Sequence, residues 1–156
     1  MNKTARDIMT REVIAVDRNL PVNNLIDFML EKKISSAPVL DEKGKLIGIV
    51  TKTDILGHCM DIDLDVTVKV GLKDILDSTP DYSDLEVSSS TDQTVESIMT
   101  RNPVTVSENT PVKELASLMI KKNIHRLIVT RGKRVTGILS TLDVLYFVAG
   151  IEKVRE

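Results

Sequence analysis

GIVTKTDIL at residues 48–56 and GILSTLDVL at residues 137–145 share one pattern. Each is a glycine, an apolar run, a hydroxyl residue, and an aspartate three positions after the hydroxyl. An apolar run reads as a strand, and Thr51-x-x-Asp54 or Ser140-x-x-Asp143 reads as a capping box, so each stretch predicts a strand passing directly into a helix. Glycine inside a strand weakens it and marks a place where something approaches the backbone closely. The N-terminus of a helix is also a site where anions gather. A hydroxyl there bonds a phosphate oxygen. A carboxylate repels phosphate but accepts both O–H groups of a ribose cis-diol, as the acid of a dinucleotide site does. The two stretches are therefore either plain helix caps or the recognition elements for a ribose bearing a phosphate, and both readings stand at this point.

The duplication extends far beyond these stretches. IMTR at 8–11 returns at 98–101, and the same offset of 90 relates Val16 to Val106, Pro21 to Pro111, Leu25 to Leu115, Met29 to Met119 and Val39 to Val129. Beyond the first hairpin turn the offset is 89, relating Gly48 to Gly137 and Asp54 to Asp143. An internal repeat of this length is a structural unit. Each copy opens with a short strand, EVIAV or PVTV. A helix follows with Val22, Leu25, Ile26, Met29 and Leu30 on one face, or Val112, Leu115, Ala116, Met119 and Ile120. Pro21 and Pro111 are expected in the first helical turn, with Asn19 and Thr110 as caps. The lysines at 32–33 and 121–122 suit the negative end of the helix dipole. A hairpin comes next, around DEKGK in the first copy and RGK in the second, and then the second helix. The predicted fold is α+β, two β-α-β-β-α units packed together, because one unit has too little apolar surface to cover its sheet alone. The boundaries are 6–57 for repeat one, 58–93 for an inserted linker that is partly helical (LKDILDS) and otherwise acidic and Ser/Thr-rich, 94–148 for repeat two, and 149–156 for a tail.

Composition excludes several functions. The formal net charge of −2 supplies no field for nucleic acid or an anionic membrane, and two Phe, two Tyr and no Trp leave no stacking platform for single strands. A single cysteine, Cys59, forms no internal disulfide, and MNKTARDIMTR lacks the apolar core of a signal peptide, so a cytoplasmic location is expected. The longest apolar runs are too short to span a bilayer. His58, Cys59 and Met60 are adjacent and diverge on a helix, so no metal site is expected. No P-loop or G-x-G-x-x-G is present, and Ser140 has no base beside it, which argues against an enzyme. Met29 and Met119 read as core.

The order of IMT, SAPVLDEKGKLIGIV or IHRLIVTRGK, and G-h-x-[ST]-x-x-D, met twice, resembles a tandem pair of CBS domains (a Bateman module) over residues 6–57 and 94–148. The resemblance implies two repeats about a pseudo-twofold axis with two clefts that take adenosyl ligands: AMP, ADP, ATP or S-adenosylmethionine. Each cleft then combines the [ST]-x-x-D of one repeat with the first strand and hairpin of the other. One site holds Thr51 and Asp54 with Thr100, Pro103, Val104, His125 and Arg126. The other holds Ser140 and Asp143 with Thr10, Ile14, Ala15, Ser36 and Ala37. The aspartates take ribose hydroxyls and the first strands frame the adenine. His125-Arg126 of repeat two stands where repeat one has Ser35-Ser36, and a guanidinium fork suits phosphate better than two hydroxyls. The clefts are thus expected to differ, the Arg126 cleft preferring the phosphorylated ligand. The implied function is a non-catalytic sensor read by an effector protein, with an S-adenosylmethionine sensor or a ligand-free scaffold as alternatives. A homodimer through Ile55, Leu56, Val144, Leu145 and Phe147 on the second helices is also expected.

Overall fold

The computed structural model describes residues 3–62 and 93–152. The LKDILDS helix and most of the acidic segment expected in the linker lie outside the described residues. Repeat one comprises α1 (Ala5–Ile8), β1 (Val16–Asp17), α2 (Val22–Glu31), β2 (Ser36–Leu40), β3 (Leu46–Thr51) and α3 (Lys52–Ile62). Repeat two comprises α4 (Val95–Ile98), β4 (Thr100–Arg101), β5 (Thr105–Ser107), α5 (Val112–Lys122), β6 (Arg126–Arg131), β7 (Arg134–Ser140) and α6 (Thr141–Ala149). In both copies the opening strand pairs parallel to the first hairpin strand, Val16 opposite Val39 and Val106 opposite Val129. The hairpins are antiparallel, with Gly44 and Gly132 at positive φ in their turns. Only glycine adopts that conformation freely.

The two repeats exchange their leading segments. β4 leaves its own repeat and pairs with β3, placing Thr100 opposite Ile49, so the first sheet runs β1-β2-β3-β4 while the second holds β5-β6-β7. Thr10 pairs in the equivalent way with Ile138. The cores follow the same exchange. Ala5 and Met9 pack among Leu115, Leu127, Val129 and Leu139 of repeat two. Val95 and Met99 pack among Leu25, Val39 and Val50 of repeat one. Each core is completed by residues from the leading segment of the other repeat.

This exchange alters two expectations. Pro21 and Pro111 sit one position earlier than expected, at the N-caps of α2 and α5, and no side chain caps either helix. Asn19 and Thr110 therefore do not cap by side chain. The first N–H groups are satisfied instead by backbone of the other repeat's lead, Val22 donating to the Gln93 carbonyl and Val112 to the Lys3 carbonyl, both at 3.0 Å. Such orphan donors need some partner, and the exchange supplies it. The strand glycines also have a different cause from a ligand. A Cβ on Gly48 would collide with the Met99 sulfur, and one on Gly137 with the Met9 sulfur. What approaches these backbones is the exchanged methionine.

Candidate functional site

β3 and β7 each deliver a helix N-terminus to the seam between the repeats. The turn there is locked by the expected box. Thr51 donates its backbone N–H and its Oγ1 to Asp54 Oδ2 at 2.7 and 2.8 Å, and the Asp54 N–H returns a bond to Thr51 Oγ1 at 3.3 Å. Ser140 and Asp143 repeat the geometry at 2.6, 2.8 and 3.4 Å. The capping reading is thus fulfilled in both copies. It leaves Asp54 Oδ1 with no bond among the described residues.

A cavity of about 460 Å³ opens beside the first of these turns. That volume falls within the range of small-molecule sites. Of the seven residues expected in the first cleft, Thr51, Thr100, Pro103, Val104, His125 and Arg126 line it. Asp54 does not form its wall, since its carboxylate is turned onto Thr51. Residues from both repeats therefore meet at one cavity, Thr51 arriving on β3 and Arg126 on β6. Sequence reasoning missed Ser35, Ile49, Lys52, Thr53, Asn102, Ile124 and Ile128, which complete the wall. Lys52 and Thr53 are the two unspecified positions inside the Thr51-x-x-Asp54 motif, and their proximity to it was the available signal.

The second set is placed differently. Ser140 and Asp143 form their cap, with Asp143 buried, and Thr10 bridges to Ile138 beside them. Ile14 and Ala15 are half-buried just before β1. Ala37 is fully buried within the repeat-one core. Ser36 accepts from Arg126 Nε at 3.1 Å, and Ser35 accepts from Arg126 Nη2 at 2.7 Å. Arg126 and Ser36, expected in separate clefts, are thus bonded to each other across the seam. The cause is the pseudo-symmetry itself, which brings two equivalent strand starts face to face.

Three arginines away from this cavity are held in ion pairs. Arg18 forms a two-point pair with Glu96, Nε to Oε2 at 2.8 Å, and Arg101 joins the same carboxylate at 3.1 Å. Hydrogen bonds from Arg18 hold the Glu96 carboxyl below its ordinary range. Arg131 does the same to Glu108. The Glu108–Arg131 pair borders a second hollow of about 390 Å³ inside repeat two, where the charges already satisfy each other. No group of three or more potential metal ligands occurs among the described residues. No helix among them is long and apolar enough to cross a membrane.

Two duplicated α+β units that complete each other's cores, with a cavity walled by both, define a pseudo-symmetric repeat pair with an inter-repeat cavity. The CBS domain model matches residues 5–61 and 95–150, and the chain belongs to that family. Among solved structures, the CBS domain pair of protein MJ0100, in complex with 5′-methylthioadenosine and S-adenosyl-L-methionine, is similar at 26% identity and a TM-score of 0.74, covering 96% of this chain and 98% of that one. CBSX2 in complex with AMP is similar in fold at 23% identity and a TM-score of 0.70, covering 97% and 99%. The uncharacterized protein MJ1426 of Methanocaldococcus jannaschii is 29% identical across 86% of this chain and 90% of its own length. The L-aspartate semialdehyde sulfurtransferase of the same organism is 27% identical across 89% of this chain. The chain spans 22% of that enzyme's length, and 26% of the uncharacterized protein MK0525 of Methanopyrus kandleri, which it matches over 52 residues.

Proposed function

We propose that the chain is a non-catalytic regulatory module that binds an adenosine nucleotide (AMP, ADP or ATP) in the cleft between its repeats. The observation that carries this reading is the 460 Å³ cavity walled jointly by Thr51 and Arg126. In the proposed pose the Asp54 carboxylate, which stands outside the cavity wall, turns Oδ1 to a ribose hydroxyl while Oδ2 keeps the helix cap. Thr51 lies at the ribose–phosphate junction, and the Arg126 guanidinium meets the phosphate. Pro103 and Val104 supply apolar surface for the adenine, with the buried Ile128 behind them. A second, weaker site is proposed at Ser140, Asp143, Thr10, Ile14, Ala15 and Ser36, where no arginine of the equivalent strand is present; Ala37, closed in the repeat-one core, supports it from behind.

Binding stabilises the arrangement in which both repeats contribute to the cavity. A ligand shifts the population toward the state that it binds better, and an effector protein reads the shift. A homodimer is part of the same proposal, with some change of surface. Val144 is buried in the core and Ile55 and Leu56 are half-buried, whereas Leu142, Leu145, Phe147, Val148 and Ile151 are exposed on α6 and just beyond it. Those five form the proposed contact. The single cysteine supports a cytoplasmic setting.

The ligands of the MJ0100 pair favour one alternative, an S-adenosylmethionine or methylthioadenosine sensor. Isothermal titration with AMP, ATP, S-adenosylmethionine and 5′-methylthioadenosine separates the readings. Micromolar binding of a nucleotide, abolished by Asp54→Ala, is expected. Binding of only the sulfur-containing ligands selects the alternative. Absence of heat with all four at millimolar concentration selects a scaffold. Asp54→Ala costs about 0.5–2 kcal/mol of cap stability in any case, so a melting curve accompanies the titration.

A further inference from the structure

We infer that the Thr51–Arg126 cavity is built for a ligand with more than one anionic group, and that Lys52 is the residue that reads the additional charge. This rests on the nucleotide reading above and specifies its ligand. The cavity wall carries Lys52, Arg126 and His125 and no carboxylate. Among the described residues, neither Lys52 nor Arg126 forms an ion pair, as is true of exposed lysines such as Lys45 and Lys113; what sets these two apart is their place on the cavity wall. Arg126 is held by the hydroxyls of Ser35 and Ser36 and by the His125 carbonyl, all uncharged groups. Its charge is positioned but not neutralised.

Lys52 is exposed and is the first residue of α3, where a cation opposes the helix dipole. Fold stability gives no reason for lysine there. Its twin in the second repeat is Thr141, whose backbone N–H donates to the His125 carbonyl at 3.1 Å as that of Lys52 donates to the Ser35 carbonyl at 3.1 Å. The backbones match and the charge does not. Arg126 corresponds to Ser36 and Asn102 to Glu12, so the equivalent wall of the second cleft exchanges two cations for hydroxyls and gains an acid. The sequence has concentrated positive charge at one of two otherwise equivalent clefts. One phosphate is satisfied by the Arg126 fork. A second cation placed at the cavity, without a partner, matches a further phosphate.

The test is titration of the full chain with AMP, ADP and ATP, repeated on Lys52→Thr, which installs the residue that the fold already accepts at the twin position. Affinity is expected to rise from AMP to ATP. Lys52→Thr should weaken ATP about tenfold and AMP less than twofold, and Lys45→Thr in the hairpin turn should change neither. Equal affinity for AMP and ATP, or an equal loss for both in Lys52→Thr, overturns the inference and leaves the nucleotide reading intact. Binding of S-adenosylmethionine with none of the three nucleotides overturns both.

Discussion

Gly48 and Gly137 show how a single missing side chain shapes this molecule. Each lies in a strand of the buried hairpin, and the space beside it is filled by a methionine from the other repeat. Gly48→Ala forces Met99 or the adjoining Thr100 carbonyl to move. Overpacking of a filled core costs about 1–3 kcal/mol, so a loss of unfolding free energy in that range, seen as a lower melting temperature, is expected for Gly48→Ala and again for Gly137→Ala. Met99→Ala combined with Gly48→Ala should lose less than the sum of the two single changes, because the added methyl enters the space that the methionine leaves. Strict additivity would contradict the contact. The glycines were legible as positions of close approach, but not what approaches, because Met99 is separated from Gly48 by about a third of the chain. The Thr51 and Asp54 cap was legible because its partners are three residues apart. The Arg126–Ser36 bond was not, because nothing local links them.

At the level of elements, the hairpins and amphipathic helices follow from pattern. The hairpin of β2 and β3, its turn and the buried stripe of Val22, Leu25 and Met29 appear as expected, whereas Leu30 and Ile120, expected on the same helix faces, are exposed. The exchanged leads do not, since a two-residue strand such as β4 has no period to read. What pins α4 to repeat one is the Arg18–Glu96 pair together with the Glu96 N–H donating to the Arg18 carbonyl at 3.0 Å. The depressed Glu96 carboxyl has a consequence for pH. A group whose folded pKa lies below its unfolded value stabilises the fold above the unfolded value and loses that contribution as pH falls toward the folded one. Glu108 and Asp7 act in the same direction, Asp7 because the Thr4 N–H bonds its carboxylate. The melting temperature should hold steady from neutral pH to about 5 and fall below about 4.3, the ordinary glutamate value. Glu96→Gln should flatten part of that fall. A curve unchanged down to pH 3, for wild type and variant alike, would remove these pairs from the stability of the fold.

On the scale of the whole molecule, the duplication raises the question of why repeats one and two pair with each other and not with themselves. The equivalent contacts carry opposite charges. Glu96 pairs by side chain with Arg18 on one side; on the other the Arg6 backbone N–H donates to the Glu108 carbonyl at 3.0 Å, and the Arg6 charge adds a minor part to the lowering of a Glu108 carboxyl already paired with Arg131. If repeat two paired with a second copy of itself, Glu96 would face Glu108, and a self-paired repeat one would set Arg6 against Arg18. Like charges so placed penalise the wrong pairing. A fragment of residues 93–156 also lacks Ala5 and Met9 from its core. It should remain monomeric and without cooperative melting by circular dichroism and sedimentation. The Glu96→Arg fragment should self-associate and fold more readily. A wild-type fragment that folds as a monomer would contradict the exchange.

The cavity is walled by residues of both repeats, which bring unequal side chains to equivalent places. The most direct measurement is a two-dimensional amide NMR titration of the isotopically labelled chain with AMP and with ATP. Thr51, Thr53, Thr100, Val104 and Arg126 should shift together and saturably, while the Glu108–Arg131 hollow stays still. Shifts confined to that hollow or to the α6 surface, or no saturable shift with either nucleotide at millimolar concentration, would show that the seam between the repeats is not a nucleotide site.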